Sequence, residues 1–232
     1  MEISEILIDS FKYPIENVRA MGFYLVFLIV AAIGLMIIGI GIGRATANIA
    51  LSIILCVIGF IILMVPLLLL EGYLLDVMNT GIIRLDSAPG VDFKRQILNG
   101  LKLIALALSY LGAPVLLTYC LGVLHPYLSV IGIFLFIGSI FPFIMAQCKL
   151  ANTDSLNAAI AIGECVGDVT RVGTLKLVAV FIIFTVLAYA ISIIGNLIQQ
   201  SSPIIGILFT LIFTTYIGFA QCRGYGLLYS NI

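Results

Sequence analysis

The sequence predicts an all-α membrane protein whose six transmembrane helices form three tandem repeats, each an interfacial helix followed by a transmembrane hairpin. Three observations carry that expectation. The 232 residues are 62% hydrophobic and only 9% charged, with a mean hydropathy of +1.27, whereas about a quarter of the residues in soluble domains are charged. Six stretches are each long and apolar enough to cross a hydrocarbon core of about 30 Å. The charges gather on alternate connections between those stretches. A chain of this size exposes too much of its surface for water to be its solvent.

The chain opens Met1-Glu2-Ile3-Ser4-Glu5. That start is acidic and precedes no short apolar run with a small-residue cleavage site, so no cleavable signal is expected. Ile3, Ile6, Leu7, Phe11, Ile15 and Val18 then recur at helical spacing, with Glu2, Glu5, Asp9, Lys12, Glu16 and Arg19 between them. A helix sided in this way lies along a membrane surface rather than across it. Pro14 is expected to kink it or to start a second short helix.

The six spans are expected at 22–42, 47–70, 103–124, 127–146, 177–198 and 203–220. Their turns alternate in character. Those after spans one, three and five are short: Gly43-Arg44-Ala45-Thr46, Leu124-His125-Pro126 and Gln199-Gln200-Ser201-Ser202. The other connections and termini carry Lys12, Arg19, Arg84, Lys94, Arg95, Lys102, Lys149, Arg171, Lys176 and Arg223, leaving Arg44 alone opposite. All eleven acidic residues fall on the same side as those ten bases. Lysine and arginine mark the cytoplasmic face. The expected localisation is therefore the cell membrane, multi-pass, with both termini cytoplasmic.

Internal repetition is visible as well. Leu101-Lys102-Leu103-Ile104-Ala105 returns 74 residues later as Leu175-Lys176-Leu177-Val178-Ala179. Ala146-Gln147-Cys148-Lys149 returns at the same offset as Ala220-Gln221-Cys222-Arg223. Phe93-Lys94-Arg95-Gln96-Ile97-Leu98-Asn99 echoes 11–17, and Glu71-Gly72-Tyr73 echoes Arg223-Gly224-Tyr225. A single membrane domain over 1–232 with repeat units of approximately 1–78, 91–150 and 154–230 follows. Each unit enters and leaves on one face, so the copies are parallel about an axis along the membrane normal. Units that bury little alone gain by packing on copies. Before span five, Ser155, Ala159, Gly163 and Gly167 form a small-residue ladder expected to admit a close helix, in a segment less sharply sided than the first.

The Glu71-Gly72-Tyr73-Leu74-Leu75 end of span two, Ala88-Pro89, Asn99-Gly100-Leu101-Lys102 and the terminal 223–229 stretch together resemble the archaeal integral-membrane family labelled domain of unknown function 4013. The family's Leu-Pro before the third span stands here as Ala88-Pro89. The resemblance implies a multi-pass membrane fold and brings no established activity with it.

Chemistry within the spans is sparse. No charge stands at mid-depth, and intramembrane charges are the usual marks of ion or proton paths. Glu71 follows four leucines at the boundary. Its structural reading is a carboxylate meeting a base of a neighbouring repeat; its functional reading is an ion or proton site. With Gln147, Tyr189, Ser192, Asn196 and Gln221 it makes up the candidate polar lining or boundary set. The neutral members also serve as bonds between helices. Pro66, Pro114 and Pro142 interrupt three spans, which transporters use and other membrane proteins tolerate.

His125 has no histidine or carboxylate neighbour in sequence, and the five cysteines form no C-x-x-C, so no metal, cofactor or disulfide framework is expected. No nucleophile motif is present, and the chain is not expected to be an enzyme. An enzyme acting on lipid would need Glu71, Asp76 or Glu164 to converge with a base. Net charge is zero, which argues against nucleic acid as a partner. The leading expectation is a non-catalytic membrane protein whose cytoplasmic ring of amphipathic helices binds membrane lipids or a cytoplasmic protein partner. The alternative is a transporter or channel for a small neutral or lipid-like solute along the pseudo-threefold axis.

Overall fold

The computed structural model describes residues 1–231. Among them the chain is helical with no strand. The helices are α1 (Ile3–Glu16), α2 (Val18–Gly43), α3 (Ile49–Ile82), α4 (Phe93–Leu124), α5 (Ser129–Thr153), α6 (Leu156–Ala159), α7 (Ile162–Val172), α8 (Thr174–Ser201) and α9 (Pro203–Tyr229), with a 3-10 turn at Pro126–Leu128. Six of them, α2, α3, α4, α5 (with its leading 3-10 turn), α8 and α9, are long and apolar enough to cross a membrane.

Local chemistry sets the ends. The Glu2 and Glu5 side chains cap α1 reciprocally. Asn48 and Asp92 accept from the backbone N–H groups of Leu51 and Arg95 to start α3 and α4. Pro14 stays inside α1, and the break from α2 falls at Asn17 instead, where φ is −117° and ψ 38°. Asn17 then holds the chain that follows α3. Its Nδ2 donates to the carbonyls of Tyr13 and Asp86, both at 2.9 Å, and its Oδ1 accepts from Ala88 N at 2.8 Å.

The spanning helices outrun the apolar stretches that announce them. α3 continues to Ile82, α9 to Tyr229, and α4 begins at Phe93, so the expected separate surface helix at 93–99 is the first two turns of α4. These extensions persist because they are buried. Gly72 and Gly100 let α3 and α4 touch backbone to backbone: a Cβ at Gly72 would stand 1.9 Å from the Gln96 carbonyl oxygen. Gly81 and Gly226 do the same for α3 and α9, with Met78 O at 2.2 Å from a Cβ on Gly226.

Consecutive helices pair as hairpins, α2 with α3, α4 with α5 and α8 with α9. The second helices of the hairpins meet at the centre, α3 against both α5 and α9, and α5 against α9. Each leading segment rests on a second helix: the first turns of α4 on α3, α7 on α5, and α1 on α9. The core lies at the charged end, where Val77, Met78, Met145, Ala146, Phe184, Phe219 and Leu227 are buried. Toward the opposite turns the helices bury little beyond glycine contacts within a hairpin, such as Gly34 on Gly59 and Gly132 on Thr118. Both termini lie at the charged end; the Met1 ammonium donates to Asn231 Oδ1 at 3.4 Å.

On α1, Ile6, Ser10, Tyr13 and Pro14 face in, whereas Ile15 and Val18 are exposed. One expectation about the surface segments needs correction. The small-residue ladder breaks between α6 and α7. Ser155 caps α6, Ala159 is buried, and nothing approaches Gly163 or Gly167. α7 is instead sharply sided, turning Cys165, Asp168, Val169 and Val172 inward.

Candidate functional site: one register, three charges

The short sequence echoes align Glu71, Lys149 and Arg223 with one another, on α3, α5 and α9. Arg223 is 1% exposed. Its Nε and Nη2 donate to the two carboxylate oxygens of Asp9 at 2.8 and 3.4 Å. Nη1 donates to the carbonyls of Thr80 and Leu85 at 2.8 and 2.7 Å, and Nη2 reaches Asp86 Oδ1 at 3.3 Å. The guanidinium also lies over the Tyr13 ring, 4.9 Å from its centroid. One side chain thus joins α9 to α1, to the C-terminus of α3 and to the following loop. A planar fork with five donors suits that task better than an ammonium.

Lys149 does the equivalent work between α5 and α7. It pairs with Glu164 and lies 3.9 Å from Asp168 Oδ2, a buried oxygen with no hydrogen-bond partner. Arg171 takes the other Asp168 oxygen at 3.2 Å. The Lys149 ammonium holds the Glu164 carboxyl below its ordinary value of 4.5, first through its hydrogen bond and then through its charge.

Glu71 breaks the pattern. Among the described residues it has no ion pair and no hydrogen bond, so the expected base from a neighbouring repeat does not meet it. The nearby bases on α4 are committed elsewhere. Arg95 donates to Asp76 Oδ2 at 2.8 Å, beside Gln96 Nε2 at 2.9 Å, and Lys102 pairs with Asp154. Asp76, Arg95, Asn99 and Asp154 line a small polar pocket of about 150 Å³ between α3, α4 and α5.

Glu71 opens instead on a groove of about 420 Å³ formed by the same three helices. Leu68, Leu103, Ala107 and Phe143 supply apolar walls, and Gln147 of α5 is the second polar group. Both polar residues are the last groove residues on helices running toward the charged end, so they stand at that mouth. The sequence candidates Glu71 and Gln147 are thereby brought together.

The other candidates are not. Tyr189, at 69% exposed, and the exposed Ser192 and Asn196 lie on the outward surface of α8. Gln221 donates to the Tyr225 hydroxyl at 2.9 Å within α9. The sequence offered Asp76 only as one of three candidate carboxylates and did not single out Arg223, Lys149 or Gln96 as site residues. The register shared by Lys149 and Arg223, set against Glu71, was the available signal.

The family model described as protein of unknown function (DUF4013) matches residues 55–199, more than half of the chain, and the chain belongs to that family. The match contains Glu71, Gln147 and Lys149 but stops short of Arg223. No curated protein and no solved structure matches the chain.

Proposed function

We propose that this multi-pass membrane protein is non-catalytic and seats a membrane lipid in the groove between α3, α4 and α5, with the charged end and both termini in the cytoplasm. The groove carries the reading. It has the apolar walls that acyl chains require and a polar mouth at the depth of the surface helices, the division expected of a site for an amphiphile. A diffuse ring of surface charge has less support. Most acids and bases of the charged end pair with one another, which leaves few to recruit headgroups. Passage along the pseudo-threefold axis finds no support in the centre of the charged end, where Met78, Met145, Ala146 and Leu227 fill the space between α3, α5 and α9. Asp76 and Glu164 do each meet a base, Arg95 and Lys149, but as ion pairs on separate helix pairs outside the lining of the groove, and the non-catalytic reading rests on that separation.

The threefold repeat is part of this proposal. Its support is the common order in which a leading segment rests on a second helix, and the shared register of Glu71, Lys149 and Arg223. Filling the groove tests the function. Ala107→Trp is expected to remove one bound lipid from the complex seen by native mass spectrometry after extraction in a gentle detergent, with the thermal midpoint nearly unchanged. Retention of the full lipid complement by a folded variant would refute the seat.

A further inference from the structure

Three charged residues share one register, and two are satisfied from within the chain. Arg223 meets Asp9 and Asp86, and Lys149 meets Glu164 and Asp168. Each counter-charge comes from a leading segment or a loop packed beside the second helix. In the first unit the sign is reversed. α4, the segment resting on α3, offers Lys94, Arg95 and Lys102, but Arg95 and Lys102 are taken by Asp76 and Asp154. Lys94 is exposed and makes no contact with Glu71. Among the described residues Glu71 therefore stands without a counter-ion at the mouth of an apolar groove, where Gln147 is the other polar lining residue.

From this arrangement we infer that the ligand of the groove is an amphiphile with a cationic, N–H-bearing headgroup, its ammonium held by Glu71 and Gln147 and its hydrocarbon tail lying along Leu103, Ala107 and Phe143. The inference rests on the lipid seat proposed above and adds the headgroup chemistry. Apolar walls select nothing about a headgroup; the selection falls to the mouth. A carboxylate there repels phosphate and carboxylate heads and accepts a hydrogen bond from a hydroxyl. An ammonium makes the same charge-assisted bond with any of three N–H donors and adds the attraction of a full opposite charge beside a low-dielectric medium. The Gln147 amide, with both donor and acceptor, completes the polar rim without altering the sign.

The test uses the full chain in maltoside micelles, which carry no charge, at neutral pH. Three photoreactive octadecyl probes share one tail and differ in the head: primary amine, alcohol and carboxylic acid. Labelled peptides are read by mass spectrometry. The amine is expected to label the α3, α4 and α5 groove peptides about tenfold more than the alcohol, a ratio worth about 1.4 kcal/mol, and the acid least. Glu71→Gln should bring the amine-to-alcohol ratio to about one. Because Glu71 makes no hydrogen bond or ion pair among the described residues, that variant should fold with an unaltered thermal midpoint. Equal labelling by amine and alcohol in the native chain, or an amine preference that survives Glu71→Gln, would overturn the inference while sparing the seat. Alcohol labelling indifferent to Ala107→Trp would remove the seat itself, and the inference with it.

Discussion

At the charged end, helices from all three hairpins bury one another; toward the opposite turns, each hairpin touches little beyond its own partner. The contrast follows from what surrounds each part. Hydrocarbon is as good a neighbour for Ile29, Ile33 or Phe134 as another helix is, so apolar burial gives hairpins little reason to gather there. At the charged end the helices meet water and headgroups, and apolar residues such as Val77, Phe184 and Leu227 gain from being covered. Ion pairs then fix which helix lies against which.

The sharpest way to break this contrast is at Arg223. Arg223→Met removes the five donors that hold Asp9, Asp86 and the carbonyls of Thr80 and Leu85. A loss of about 3 kcal/mol is expected, the upper end for hydrogen bonds made by a charged group, read as a large fall in the detergent unfolding midpoint together with proteolysis in the 83–92 loop. Arg44→Gln, the matching change at the other end, should fall within about 0.5 kcal/mol.

A smaller effect separates glycines. Gly226→Ala sets a methyl group 2.2 Å from Met78 O and should cost about 1–3 kcal/mol. Gly39→Ala and Gly43→Ala meet nothing within 4 Å and should leave the midpoint where it is. A midpoint that fell equally for both kinds would erase the distinction between the ends.

The mildest effect is a pH dependence at α7. Because Lys149 lowers the Glu164 carboxyl, their pairing contributes fully above 4.5 and is lost as pH falls through the depressed value. Hydrogen exchange corrected for intrinsic rate should show α7 loosening from α5 in acid before the spans respond. Lys149→Met should abolish that pH dependence, and its survival would place the switch elsewhere.

Much of the fold was legible because the hydrocarbon requirement writes itself into the chain directly. Long apolar runs and one-sided charge produced the six spans and brought both termini to one end. The extensions were not legible. Residues 71–82 and 221–229 mix glycine, tyrosine and charge, and they remain helical only because α4, α9 and α1 cover them. Arg223 read as one more boundary base, since Asp9 lies more than 200 residues away and no local pattern announces a partner at such separation. The ladder from Ser155 to Gly167 misled for the opposite reason. Its spacing is helical, but the chain turns at Ile160 and Ala161, which divides the face. Glu71 and Gln147 were found through boundary position and repetition, while Tyr189, Ser192 and Asn196 were gathered by polarity alone, which does not say whether a residue faces a cavity or the surrounding medium.

Distances between spin labels compare the two ends in a single experiment. With nitroxides placed pairwise at Ser87, Asn152 and Ser230, near the charged end, and at Arg44, His125 and Ser201, at the opposite turns, pulsed electron resonance in lipid bilayers reads both sets. Narrow distributions among the first three and broad ones among the last three are expected. Equally narrow distributions at the two ends would contradict a molecule held together at its charged end alone.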